Sequence, residues 1–97
     1  MKTSVIIPCV IITRHKAGLY EWTVALGQEP LDSEIGNSSI SSCLASAANG
    51  LPDDIRLVEV IYRGVHMGTF DRLALEHTEE DVAERISAEY FALTNYN

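Results

Sequence analysis

Between Ser38 and Pro52 the apolar residues Ile40, Cys43, Leu44, Ala47 and Leu51 recur at i, i+3, i+4 and i+7 spacing, the mark of one buried helical face. Ser38 or Asn37 supplies the cap, and Gly50 followed by Leu51 and Pro52 predicts a left-handed end, its hydrophobic contact and a stop. The outer side of this helix, Ser41, Ser42, Ser46 and Asn49, carries no charge. A helix with one apolar stripe must lie on a second layer, so the flanking segments have to supply a sheet.

They read that way. Thr3 to Arg14 is rich in Val and Ile and apolar on both alternating faces, as a well-covered strand would be. Pro8 cannot donate to a ladder, which predicts an edge or a bulge there. After the basic turn Arg14–Gly18, residues Tyr20, Trp22, Val24 and Leu26 alternate with Glu21, Thr23 and Ala25, completing a hairpin. Gly27 to Asn37, with Pro30, Gly36 and three acids, reads as a polar loop. Ile55 to Arg63 is a third strand, and the glycines at 64 and 68 frame a short fourth ending near Phe70. Asp71 to His77 predicts a helical turn. Thr78 opens a second helix with Glu79, Glu80 and Asp81 in its first turn, where the helix dipole favours acids. Its inner face is Val82, Ile86, Tyr90 and Leu93, with Glu80, Glu84 and Phe91 outward. The expected fold is a single α+β domain over 1–97. It is a two-layer ββαββα sandwich: an antiparallel sheet of three or four strands with two helices on one face.

At 97 residues the chain is long enough for one hydrophobic core. Cys9 and Cys43 both fall in apolar patterns and read as buried free thiols, which suits a reducing cytoplasm. Val5 to Ile12 lacks the length of a signal peptide or a membrane span. The net charge of −7 argues against direct binding to nucleic acid or anionic membrane.

No catalytic residue, metal site or cofactor is expected. His15, His66 and His77 read as exposed loop residues without ligand spacing, and no Cys43–His66 nucleophile pair is expected. The glycines follow no phosphate-binding pattern. Charge is the remaining signal. From Lys16 to Arg56 there is no intervening Lys or Arg, while Glu29, Asp32, Glu34, Asp53 and Asp54 fall within the run; a second acidic block spans Glu76–Glu89. Glu80 and Glu84 lie about 6 Å apart along a helix axis, approximating every second phosphate of a strand whose charges advance about 3.4 Å each. Rows of carboxylates on a rigid scaffold can occupy a basic groove meant for DNA, with Phe91 or Tyr96 adding contacts at the rim. The simplest alternative is that the acids only confer solubility.

In overall character the chain resembles the phage-encoded anti-CRISPR proteins, and is similar to the small acidic inhibitors of the type I-F surveillance complex. The features carrying the resemblance are the chain length, the α/β pattern, the base-free run and the acidic segments Glu29–Glu34 and Glu76–Glu89. The resemblance implies a monomer in the host bacterium's cytoplasm that competes with target DNA for basic residues of the complex. Glu29, Asp32, Glu34, Glu80 and Glu84 would make contact, with Asp53 and Asp54 as secondary candidates. A rival reading is an antitoxin-like adaptor that binds a protein groove through a sheet edge, its acidity serving only solubility.

Overall fold

The computed structural model describes residues 7–94. Strands β1 (Cys9–Lys16), β2 (Leu19–Leu26) and β3 (Glu29–Asn37) form an antiparallel meander. The segment expected to be a loop is therefore a two-residue turn followed by a strand. Gly27 has φ +66° at the first turn position, where a type II′ hairpin requires glycine. The part of the expected first strand before Ile7, and Tyr96, lie outside the described residues.

From β3 the chain enters α1 (Ile40–Asn49), which crosses the sheet and delivers β4 (Leu57–Tyr62) to the other side of β1. That crossover makes β1 and β4 parallel, with Cys9 beside Glu59 and Ile12 beside Tyr62. Strand β5 (Val65–Asp71) returns antiparallel, followed by α2 (Arg72–His77) and α3 (Glu79–Thr94). The result is a five-stranded mixed sheet in the order β3-β2-β1-β4-β5, replacing the expected three or four antiparallel strands. The α+β class stands. The order gains a strand before the first helix and a short helix before the last.

Strand β1 is central, which explains its apolar character on both faces. Pro8 precedes it and contributes only its carbonyl, which accepts from Glu59 N–H at 2.9 Å, so no ladder donor is lost. On one face Val10, Ile12, Trp22, Val24, Val58 and Val60 pack against Cys43, Leu44, Leu75 and Ile86 of the helices. Each such aliphatic side chain contributes about 1.5–3 kcal/mol on burial. The other face is partly open and carries Cys9, Ile11, Thr23, Glu59 and Ile61. Leu93, expected inside, is exposed near the end of α3.

The ends of α1 are fixed by different means. At its start Ser39 is the cap, accepting from Ser42 N–H at 3.1 Å, and Asn37 Oδ1 accepts from the Ser42 hydroxyl at 2.6 Å. At its end Gly50 is right-handed, with φ −86°, not left-handed as its sequence suggested. The carbonyls of this end and the following turn converge instead on Arg72, Ala48 O and Pro52 O also accepting from Leu51 N–H and Ile55 N–H. Its guanidinium, only 11% exposed, donates to Leu51 O at 2.9 Å, Ala48 O at 3.3 Å and Pro52 O, while Nε donates to Glu76 at 3.1 Å. A cation at a helix C-terminus also meets the favourable end of the dipole. Replacing Arg72 with Ala should cost about 3 kcal/mol in urea unfolding, because it removes the charged donor shared by Ala48 O, Leu51 O and Pro52 O and leaves half-buried Glu76 without its cation. Arg72→Lys should recover only part of that, lacking the fork; a loss below about 1 kcal/mol for the alanine variant would contradict the role.

Candidate interaction surface

Strand directions sort the charges. The starts of β3 and β4, the ends of β1's neighbour β2 and of β5, and the C-terminus of α1 share one end of the sheet. Glu29, Asp53, Asp54 and Asp71 are therefore at that end, with Arg56 as an exposed base among them. At the opposite end lie Arg14, Lys16 and Arg63. The crossover end thus carries an excess of acids, while the other end mixes Arg14, Lys16 and Arg63 with Glu21 and Glu84, a distribution that net charge alone does not reveal.

Within the acidic end the carboxylates have different duties. Asp71 caps α2 by accepting Leu73 N–H at 2.9 Å, and Glu76 pairs with Arg72. Asp53 is fully exposed and 4.0 Å from the Arg72 guanidinium. With Asp54, Arg56 and Arg72 these groups line an open cleft of about 720 Å³. Asp32 continues the acidic surface onto β3: its Oδ2 is 3.8 Å from where a Cβ on Gly50 would stand. Glu34 is partly committed to structure. It accepts the indole N–H of the buried Trp22 at 3.3 Å and Asn37 Nδ2 at 3.4 Å.

Glu80 and Glu84 are exposed on α3 as expected, but α1 lies between α3 and β3. Glu84 instead borders a shallow hollow with Tyr20 and Ser38–Ser41. The seven candidate acids thus separate: Glu29, Asp32, Asp53 and Asp54 lie towards one end, Glu34 further along β3 beside Trp22 and Asn37, and Glu80 and Glu84 on another surface. Arg72, which organises the first end, escaped sequence reasoning. Its only local signal is the i, i+4 spacing to Glu76.

The other chemistry-bearing groups are dispersed. His15 and His66 are on strands, not in loops, and pair with Glu21 at 2.9 Å and Glu59 at 3.1 Å. Cys43 is buried between α1 and the sheet, whereas His66 stands on the open face, so the sheet separates the two. Cys9 is only partly buried, and both cysteines are free thiols. Among the described residues no group of three His, Cys, Asp or Glu is placed to hold a metal, and no helix is long and apolar enough to cross a membrane.

At the opposite end Arg63 adopts φ +51°, unusual for a residue with a Cβ, and its guanidinium lies 4.8 Å from the Tyr90 ring. Tyr90 meets Tyr62 edge-on at 5.0 Å. This stack ties the β4–β5 turn to α3.

The fold and surface together define a small α+β protein with an excess of acids at one end of its sheet. Compared with known proteins, the chain matches no family model, no curated protein sequence and no solved structure.

Burial pushes the Cys43 thiol up to about 12 from 9.0, and the charge of Glu34 adds to the rise. The folded thiol stays protonated while an unfolded one ionises near 9. Its contribution to stability is therefore full below pH 9 and is lost as pH rises toward 12. Titration with a disulfide reagent at pH 8 should leave Cys43 unmodified until urea is added. Rapid native labelling would contradict its burial.

Proposed function

We propose that this protein is an acidic inhibitor that occupies a basic nucleic-acid-binding surface in place of DNA, the surveillance complex of a type I-F CRISPR system being the first partner to test. The supporting observation is the gathering of Glu29, Asp32, Asp53 and Asp54 at one end of a rigid sheet, away from Arg14, Lys16 and Arg63. The side chains of Glu29 and Asp54 make no hydrogen bond or ion pair among the described residues, so their carboxylates are available to a partner.

The mechanism involves no bond making. Lys and Arg side chains that grip phosphates in the partner pair with these carboxylates, and DNA is excluded by competition. Glu80 and Glu84 face elsewhere and are not part of the contact. The attraction is largely electrostatic, so association is fast at low salt and slows as salt screens it.

Purified type I-F complex, labelled target duplex and increasing protein should give loss of DNA binding that saturates. Raising salt from 50 to 200 mM should weaken inhibition by roughly tenfold or more. Undiminished DNA binding at saturating protein would exclude this partner.

A further inference from the structure

We propose that β3 accepts an extended, basic segment of the partner protein as a sixth strand, so that the acidic surface is engaged through backbone pairing as well as charge. This rests on the inhibitor reading above and specifies how the contact is made. Strand β3 is an edge of the sheet, nine residues long, and every residue from Glu29 to Gly36 is exposed. Its inner side is committed to β2, leaving an outward edge on which Pro30 offers no N–H, Ser33 N–H is held by Asp32, and an incoming strand must draw Asp32 off that N–H to pair there.

Which groups face outward follows from the turn. Leu26 and Glu29 flank the two-residue turn and form the bonded closing pair, so Ala25 and Pro30 form the next, non-bonded pair. The missing N–H of Pro30 thus falls on the outside, where the ladder does not need it. After the irregularity at Leu31 the alternation places the Ser33 and Ile35 N–H groups outward. The Ser33 N–H confirms this independently: it donates to its neighbour's Asp32 Oδ1 at 2.8 Å instead of to β2.

Side chains select the occupant. Asp32 and Glu34 point to the helix side, opposite Val24 and Trp22, while Ser33 and Ile35 point to the open side, opposite Thr23 and Glu21. Leu31 and Ile35 are large apolar side chains left 52% and 57% exposed on this edge. Pairing with a second copy of β3 about Ser33 would set Asp32 against Glu34, which like-charge repulsion disfavours. A strand with Lys or Arg at alternate positions instead places cations on Asp32 and Glu34. Its intervening apolar residues then meet Ile35. The edge is guarded against its own kind and complementary to a basic strand.

The probe is an acetylated peptide of alternating Lys and Val, matched to the nine residues of β3. It should bind at low salt and slow amide exchange at Ser33 and Ile35 in the unaltered protein. Ser33→Pro, which removes an outward donor and no ladder bond, should weaken peptide binding roughly tenfold with an unchanged circular dichroism spectrum. No binding, or binding without slowed exchange at Ser33 and Ile35, would overturn strand addition, and so would full affinity in a folded Ser33→Pro protein. If Ser33→Pro does not fold, the exchange measurement decides alone. Should the edge idea fail while the protein still displaces DNA from the surveillance complex, the inhibitor reading survives. Should the peptide dock at the edge and DNA never be displaced, the inhibitor reading fails by itself.

Discussion

The Arg72 guanidinium holds the turn that follows α1, and much of the architecture depends on that turn. Helix α1 must end over the sheet and hand the chain to β4 beside β1, or no parallel pair forms. Pro52, exposed Asp53 and Asp54 offer little packing to define that path. Backbone carbonyls of Ala48, Leu51 and Pro52 converge on one planar cation, and the Arg72 N–H in turn bonds Arg56 O at 2.8 Å. A single residue thereby joins α1, the crossover, the start of β4 and α2. Its charge also offsets Glu76 at 3.1 Å and reaches Asp53 at 4.0 Å.

The elements legible in the sequence are those with a face in the core. The apolar stripe of α1, the alternation in β2 and β4, and Val82 and Ile86 of α3 all report burial, and burial is what residue pattern encodes. Strand β3 was not legible for the same reason. As an exposed edge it has no buried face, so acids, Pro30 and Gly36 disguise it as a loop. The parallel register of β1 and β4 also left no trace, because alternation is identical in either direction. Arg72 was hidden because its principal partners are carbonyls, which every sequence supplies.

For the surface, sequence located the acids but not how the fold groups them. Sequence distance set Glu29–Glu34 apart from Asp53–Asp54, and the crossover brings Glu29 and Asp32, but not Glu34, to the end that carries Asp53 and Asp54. The Glu80–Glu84 pair looked equivalent in charge and spacing, yet α1 separates it from β3. Charge alone was therefore a weak guide; chain path determines which charges act together.

If the protein is the inhibitor proposed, position and not quantity of negative charge governs its inhibition, and two matched variants separate these. One variant carries Asp53→Lys with Asp54→Lys, the other Glu80→Lys with Glu84→Lys, so both reverse two exposed carboxylates. Inhibition constants against target DNA on the type I-F complex are then measured at one salt concentration. The account predicts a loss of roughly a hundredfold for the first variant and little change for the second. Equal losses in both would mean that net charge alone carries the activity and would contradict the account.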